Sequence, residues 1–317
     1  MEYIQIDRCP KPVSRLIKGT EYFTHDIYET AAENLDAYIA AGGNTIDTAF
    51  GYARGQSEEV IGRYLEERKN RDRFVILTKG AHPGWTPNGW VPRVNREAIR
   101  SDLLTSLERL RTDKVEMYAL HRDDPNVPVG EILEALNEHI EAGRIDAIGV
   151  SNWTVKRIRE ANEYAAKHGL VGFTFNSPNL SLAKANEEMF PGCVHADEEM
   201  VRWHERSRMP LLSWSSQARG FFTDQFAPHL RDFDDARKEI VRVFYSEDNW
   251  ERRRRAAELA KRKNATVIQI ALAYVLNHPF PTCAVIGARN RGELTSCMEG
   301  AAIKLTREEM DWLDLRS

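Results

Sequence analysis

The strongest constraint on the fold is a regular alternation of short apolar runs with amphipathic stretches along almost all 317 residues. The runs that have the composition of strands are residues 15–19, 44–48, 74–79, 115–121, 147–151, 172–176, 210–214 and 283–287. Helical spacing of apolar residues lies between them, roughly at 26–43, 56–70, 95–113, 129–142, 155–167, 197–207, 266–277 and 290–299. Strands that alternate with helices in this way are typical of parallel sheets.

Eight such units in one chain favour an α/β fold of the (β/α)8 TIM barrel kind, because right-handed crossovers between neighbouring strands bring the last strand beside the first. A doubly wound open sheet is the alternative, although no strand run is followed by the usual glycine-rich dinucleotide fingerprint. No shift of composition marks a linker, so we expect one domain over residues 1–317.

Two segments interrupt the alternation. Residues 1–12 contain EYIQI, whose period of two predicts a short N-terminal hairpin over the barrel floor. Residues 215–249, after the seventh strand, are too many for a simple connection and predict a lid or a binding loop.

The formal net charge of −4 is small for this length and favours a small-molecule partner over nucleic acid or an acidic membrane. The basic run at 251–263 is interleaved with Glu251 and Glu258 and has no aromatic platform, so it predicts a solvated helix.

No signal-like start or membrane-length apolar run is present, and the four cysteines form no CxxC pair. We therefore expect a cytoplasmic protein with reduced thiols. The nine histidines have no metal-ligand spacing, which predicts no catalytic metal.

Four ionisable residues lie at or just after three successive strand ends, where barrel enzymes carry their chemistry. They are Asp47, Tyr52, Lys79 and His121. Each alone has an ordinary explanation as a surface ion pair, a core histidine or a rim aromatic. Together they predict one pocket in which their pKa values interact.

Reduction of a carbonyl is the reaction that uses an aspartate, a tyrosine, a lysine and a histidine placed together in this way. A hydride that reaches carbon leaves negative charge on oxygen, so a proton donor must lie within hydrogen-bonding reach, and a phenol with a pKa of about 10 is a weak donor at neutral pH. We expect the Lys79 ammonium to lower the pKa of Tyr52 and Asp47 to keep Lys79 charged and oriented. His121 would hold the carbonyl oxygen by a hydrogen bond.

The segments NTIDTAFGY, SEEVIG, ILTKG, YALHRDD, IGVSNW and VIGAR, in this order, resemble the aldo-keto reductase family over nearly the full chain. The resemblance implies a (β/α)8 barrel that binds a nicotinamide cofactor, usually NADPH, across its mouth without a Rossmann domain. It assigns Asp47, Tyr52, Lys79 and His121 to the catalytic tetrad, with Tyr52 as the general acid.

The resemblance also assigns the cofactor side. Ser151 and Asn152 would bind the nicotinamide carboxamide; the alternative is that they form a turn or a helix N-cap. Trp214 would stack on the nicotinamide ring. Ser177 replaces the usual glutamine, unless Asn179 takes that role. The full set of cofactor-binding candidates is Ser151, Asn152, Ser177, Trp214, Ser215, Gln217, Gly287, Arg289, Asn290 and Arg291.

Arg289 and Arg291 at a helix start favour the 2′-phosphate of NADPH, with an ordinary solvated helix start as the alternative. The family's adenine-clasping pair is replaced by Ser296 and Cys297, which leaves NADH possible.

The substrate side is predicted from Trp85, Trp90, Arg122 and Trp153. The polar residues Arg122, Asp123 and Asp124 beside His121, with tryptophans nearby, would suit a sugar-like carbonyl. The leading hypothesis is thus an NAD(P)H-dependent reductase of aldehydes or ketones. A cofactor-binding regulatory or scaffold protein with little turnover, and a phosphate-handling lyase or isomerase, are the alternatives.

Overall fold

The computed structural model describes residues 1–87, 89–230 and 233–316. Positions 231 and 232 of the expected 215–249 loop, and the last residue of the expected domain, lie outside the described residues. The strands in the described part are β1 (Tyr3–Ile4), β2 (Val13–Ser14), β3 (Leu16–Gly19), β4 (Thr45–Asp47), β5 (Val75–Gly80), β6 (Gly84–Thr86), β7 (Gly89–Val91), β8 (Val115–Leu120), β9 (Ile145–Ser151), β10 (Phe175–Ser177), β11 (Leu211–Ser213) and β12 (Thr282–Ile286).

The central sheet is a closed parallel barrel in the order β3, β4, β5, β8, β9, β10, β11 and β12, and it closes where β12 pairs with β3. The helices around it are α1 (Tyr28–Ala40), α2 (Gln56–Arg68), α3 (Arg96–Leu110), α4 (Val129–Glu141), α5 (Val155–His168), α6 (Glu198–Ser207), α7 (Asp235–Phe244), α8 (Glu247–Lys263), α9 (Val267–Leu276), α10 (Arg291–Ala302) and α11 (Arg307–Leu313). The predicted (β/α)8 barrel is confirmed.

The interior of the barrel is filled by side chains that alternate along the strands. Ile17, Leu77, Met117, Phe175 and Leu212 belong to one buried cluster, while their strand neighbours pack outward against the helices. Gly149 leaves room for the Phe175 ring, because a Cβ there would lie 2.4 Å from that ring. The interior of the barrel is therefore a packed core, and a ligand site is expected at its mouth.

The sixth barrel strand begins three residues later than predicted, at Phe175. The side chain of Asn162 accepts from the backbone nitrogen of Phe173 at 2.7 Å and donates to its carbonyl at 3.0 Å. These bonds satisfy the backbone nitrogen and carbonyl of Phe173, so Phe173 does not form the strand hydrogen bonds that begin at Phe175.

The expected N-terminal hairpin forms, but its second arm, β2, lies just beyond residues 1–12. The β6–β7 hairpin in the loop after β5 was not predicted. Helices α7 and α11 were also not predicted.

The 215–249 segment is partly anchored. Phe221 and Phe222 are buried in the core. Arg253 of α8 donates to the carbonyl of Thr223 at 2.8 Å, so the first part of the segment packs on α8.

Among the described residues, no helix is long and apolar enough to span a bilayer, and no His, Cys, Asp and Glu side chains group in a way that could hold a metal ion. The four cysteines are buried and free.

Candidate active site

The structure brings the four strand-end residues together at the carboxyl end of the barrel. Asp47 ends β4, Lys79 lies in β5, His121 directly follows β8, and Tyr52 lies in the turn after β4. Lys79 Nζ is 2.7 Å from Asp47 Oδ2 and 3.3 Å from the Tyr52 hydroxyl. The Tyr52 and His121 ring centroids are 5.6 Å apart. The four side chains thus lie in one cluster at the mouth of the barrel, as the strand-end pattern predicts.

Lys79 is fixed from two sides. Its ammonium donates to the Thr48 carbonyl at 2.9 Å in addition to its ion pair with Asp47. Both side chains of the pair are buried, and burial raises the pKa of Asp47 while the charge of Lys79 opposes that rise. These two contacts hold the ammonium at a position from which it also donates to the Tyr52 hydroxyl.

Burial, and then the charge of Asp47, hold the pKa of Tyr52 well above 10. The expectation that Lys79 brings this pKa below its ordinary value is therefore not met, because burial of the phenol outweighs the hydrogen bond from Lys79, and the charge of Asp47 adds to the rise. At neutral pH Tyr52 carries its proton. The Lys79 hydrogen bond to its oxygen would stabilise the phenolate once that proton leaves.

His121 is a neutral imidazole. Burial, and then the charge of Lys79, lower its pKa well below 6.5. Its Nδ1 is buried and has no hydrogen-bond partner among the described residues, and Asn152 donates to its backbone carbonyl at 3.2 Å. A neutral imidazole that is held by its backbone can donate one N–H to a ligand oxygen.

Backbone strain is concentrated at this end of the barrel. Outside glycine, the residues with left-handed φ in loops that follow barrel strands are Ala53, Arg54, Ala81, Asn152, Ser215, Ala218 and Arg219. Most of the remaining ones, including Lys69, Arg111, Arg208 and Asn264, end helices, where this conformation is common. Strained turns cluster at functional sites, which agrees with a site at the mouth.

The predicted carboxamide ligands form one hydrogen-bonded unit. The Ser151 hydroxyl donates to the Ser177 carbonyl at 2.8 Å and accepts from Asn152 Nδ2 at 2.9 Å. Asn152 Oδ1 accepts from Trp214 Nε1 at 3.2 Å. The Trp214 ring is therefore oriented by Asn152. The Ser177 hydroxyl is less available to bind a carboxamide, because it donates to the Leu212 carbonyl at 2.8 Å.

The side-chain amide of Asn179, the alternative to Ser177, is also hydrogen-bonded within the protein. Its Nδ2 donates to the Trp214 carbonyl at 2.8 Å, and its Oδ1 lies 3.0 Å from His195 Nδ1. The His195 ring lies 5.7 Å from the Trp214 ring, between centroids. Asn179 and His195 thus support Trp214 from behind, and the sequence did not indicate His195.

The loop after β12 carries the residues predicted for the cofactor phosphate. Gly287, Arg289, Asn290 and Arg291 are all exposed. Asn290 caps α10 by accepting from the Glu293 nitrogen at 2.9 Å, and Glu293 accepts from the Arg289 nitrogen at 2.7 Å.

Lys18 and Tyr22 support this loop from below, and sequence reasoning missed both. Each donates to the Ala288 carbonyl. Lys18 is buried, which lowers its pKa to about 8. The only signal in the sequence was a lysine inside the strand run RLIKG.

Ser215 and Gln217 lie in the loop after β11 and are half-buried. Gln217 donates to the Ile268 carbonyl at 3.4 Å and accepts from Cys297 Sγ at 3.7 Å. Arg219 in the same loop approaches Glu21, in the loop after β3, to 3.5 Å. This ion pair joins the two loops at the rim, and the sequence did not indicate it.

On the substrate side, Trp85 and Trp90 are exposed, with 71% and 45% of their surfaces accessible. Their rings are 5.5 Å apart between centroids; the Trp90 ring is 5.5 Å from His82, and His82 is 4.8 Å from His121. These rings form an aromatic wall, defined as His82, Trp85 and Trp90, that reaches the tetrad. His82 was not predicted.

Arg122 and Trp153 do not fit their predicted place in the substrate pocket. Trp153 is fully buried, and its Nε1 donates to the Arg122 carbonyl at 3.2 Å. The Arg122 guanidinium is buried too and donates to the carbonyls of His121 and Pro191 and to Cys193 Sγ. Both residues therefore support the site from within the protein.

Comparison with known proteins agrees with this geometry. The sequence model of the aldo/keto reductase family matches residues 15–315. The aldo-keto reductase YhdN of Bacillus subtilis is 29% identical over 98% of this chain and 91% of that protein. The versiconal hemiacetal acetate reductase of Aspergillus parasiticus is 31% identical over 99% of this chain and 96% of that protein.

A crystal structure of the thermostable aldo-keto reductase Tm1743 with the inhibitor epalrestat superposes with a TM-score of 0.75 at 25% identity and covers all of both chains. An aldo/keto reductase from Klebsiella pneumoniae, solved with NADP and acetate, has the same fold, with a TM-score of 0.73 at 23% identity over 99% of this chain and 94% of that one. The protein described here is thus a member of the aldo/keto reductase family.

Proposed function

We propose that the protein reduces an aldehyde or a ketone to an alcohol with a reduced nicotinamide cofactor, and that Tyr52 is the general acid. The observation that carries this proposal is the buried chain from Asp47 through Lys79 to the Tyr52 hydroxyl, with neutral His121 beside it. The bound cofactor supplies the hydride.

The residues of the chain manage the proton and the developing charge. Tyr52 is protonated at neutral pH and can pass its proton to the substrate oxygen. Lys79 stabilises the phenolate that remains, because it already donates a hydrogen bond to that oxygen. The neutral His121 imidazole, whose ring lies beside that of Tyr52, can donate one N–H to the substrate oxygen.

The cofactor candidates fit a nicotinamide nucleotide at both of its ends. The Trp214 ring, which Asn152 orients, offers an aromatic face for the nicotinamide, and the Ser151 hydroxyl lies beside it as a partner for the carboxamide. The Asn152 amide already uses both of its N–H groups and its oxygen within the protein, so it would have to exchange a partner to bind the carboxamide. The exposed Arg289 and Arg291 at the start of α10 offer cations for a 2′-phosphate. We propose NADPH as the preferred cofactor, with NADH as the alternative.

For the substrate, we propose a carbonyl carried on an aromatic or apolar group, which revises the sugar-like expectation. The Arg122 guanidinium is hydrogen-bonded to carbonyls of the protein, and Asp123 pairs with Arg157 at 3.1 Å. Neither side chain therefore presents a free polar group to a sugar. The wall of His82, Trp85 and Trp90 offers stacking surfaces instead.

Replacement of Tyr52 by Phe tests the function. The variant should keep cofactor-induced quenching of tryptophan fluorescence and lose turnover by about a hundredfold or more, because the acid is gone and the ring remains. A variant that turns over like the wild type would refute the mechanism. Quenching without turnover of any carbonyl by the wild type would favour the regulatory or scaffold alternative. An aromatic aldehyde and an aldose, compared at equal concentration, test the substrate class.

A further inference from the structure

Three consecutive residues between Tyr52 and α2 adopt left-handed backbone angles. Their φ values are 48° at Ala53, 58° at Arg54 and 95° at Gly55. Glycine adopts this conformation freely, whereas the two other residues adopt it only with backbone strain. The turn that presents the catalytic phenol is therefore strained, and other groups must keep it from relaxing.

Arg109 of α3 is one of these groups. Its Nη1 donates to the Phe50 carbonyl at 2.9 Å, and its guanidinium lies 4.7 Å from the centre of the Phe50 ring. It also occupies the space beside Gly55, since a Cβ on Gly55 would lie 2.5 Å from the guanidinium carbon. Arg109 thus contacts the turn on both sides of Tyr52.

Glu58 of α2 connects Arg109 to the strand that carries Lys79. The side chain of Glu58 is completely buried. One of its oxygens accepts from the Thr78 hydroxyl at 2.6 Å, and the other lies 3.4 Å from Arg109 Nη1. Thr78 directly precedes Lys79, and the Phe50 nitrogen donates to the Lys79 carbonyl at 2.9 Å. The strained turn and β5 are therefore fastened to the same carboxylate and guanidinium.

We propose that Glu58 and Arg109 are positioning residues that set the 3.3 Å approach between the Tyr52 hydroxyl and Lys79 Nζ. This inference rests on the proposed role of Tyr52 as general acid. Neither residue contacts the reacting groups, so each acts through the turn and the strand that it holds.

Arg109→Lys is the informative variant, because it keeps a positive charge beside buried Glu58 but loses the planar fork that reaches Phe50 and Glu58 together. We expect kcat to fall between roughly tenfold and a hundredfold, as for an angstrom-scale misplacement of a catalytic group. The KM for the carbonyl and the fluorescence-measured Kd for cofactor should stay within about twofold. Glu58→Gln should lower kcat in the same way.

The matched control is Arg111→Lys. Arg111 follows α3 and pairs with Glu66 of α2, so it joins the same two helices, but its ion pair is exposed and lies away from the Tyr52 turn. It should leave kcat, KM and Kd unchanged.

The way in which the loss is divided between kcat and the binding constants separates positioning from a merely structural role. If Arg109→Lys moves the phenol away from Lys79, the chemical step slows, while the KM for the carbonyl and the Kd for cofactor stay near those of the wild type. An unchanged kcat in Arg109→Lys, or a loss shared equally by kcat, KM, cofactor Kd and thermal stability, would overturn the inference. A wild type without carbonyl turnover would instead refute the proposed function, and the inference with it.

Discussion

Asp47 and Lys79 form an ion pair whose carboxylate oxygen and ammonium nitrogen lie 2.7 Å apart, with at most 5% of either side chain exposed. Each charge stabilises the other, because an unpaired buried charge would raise the free energy of the folded protein. The pair therefore contributes to the stability of the barrel as well as to the proposed proton transfer.

Asp47→Asn should lower the free energy of unfolding by about 3 kcal/mol, since it leaves a buried ammonium without its counter-ion. Adding Lys79→Met should restore most of that loss, while neither protein reduces carbonyls. Urea unfolding of the single and double variants measures this. A double variant less stable than Asp47→Asn would show that Lys79 is stabilised by other groups.

The rate of carbonyl reduction should be nearly constant as pH falls from about 8 to about 6. Tyr52 remains protonated over this range because its pKa is raised, and His121 remains neutral because its pKa is lowered. Steady-state kcat across this range, with saturating cofactor, is the measurement. A titration near 6.5 that disappears in His121→Gln would contradict the neutral imidazole.

Replacing Arg289 or Arg291 by Leu should weaken NADPH binding by about tenfold and leave NADH binding nearly unchanged, because only NADPH carries the 2′-phosphate. Fluorescence titration with each cofactor gives both dissociation constants. Arg307→Leu is the matched control, since Arg307 is the exposed first residue of α11, as Arg291 is of α10. Equal losses for the two cofactors would argue against a phosphate contact.

Acid should destabilise the fold between about pH 6.5 and pH 4 through His204. Burial lowers the pKa of His204 to about 4; its Nδ1 donates to the Met209 carbonyl at 2.8 Å, and its Nε2 faces Asn176 Nδ2 at 3.2 Å. Below pH 6.5 the unfolded chain binds a proton that the folded protein does not, so stability falls as pH falls, by about 3 kcal/mol for this residue.

His204→Gln should make this pH dependence of unfolding shallower, and His168→Gln, at an exposed position on α5, should not. Chemical unfolding at several pH values compares the two. Parallel curves for wild type and His204→Gln would mean that other buried histidines account for the acid sensitivity, among them His195 and His278, whose pKa values burial lowers to about 4 and about 3.

The barrel and its four strand-end residues could be predicted from the sequence because both depend on regular features. Strand and helix periods define the units, and the residue at a strand end must lie at the mouth. Asp47 and Lys79 were found in this way. The short β6 and β7 were missed because each begins with glycine and lies in a loop rich in proline and glycine, a composition that indicates irregular structure.

Side-chain direction in the loops could not be predicted. Asn152 has φ 62°, and the residue after it, Trp153, packs inward against Phe173 with 5.2 Å between ring centroids. Arg122 is buried because Pro191 and Cys193, about seventy positions later in the chain, supply acceptors for its guanidinium. Such partners become visible only when distant segments are placed together.

The aromatic wall is carried by a loop and its small hairpin, whereas the proton-donating unit is built on barrel strands and one turn. Under the proposed function, the residues that select the substrate and those that donate the proton thus lie in separable stretches of sequence. Exchanging the hairpin between β5 and α3 should therefore change which carbonyl is accepted while Asp47, Tyr52 and Lys79 stay in place.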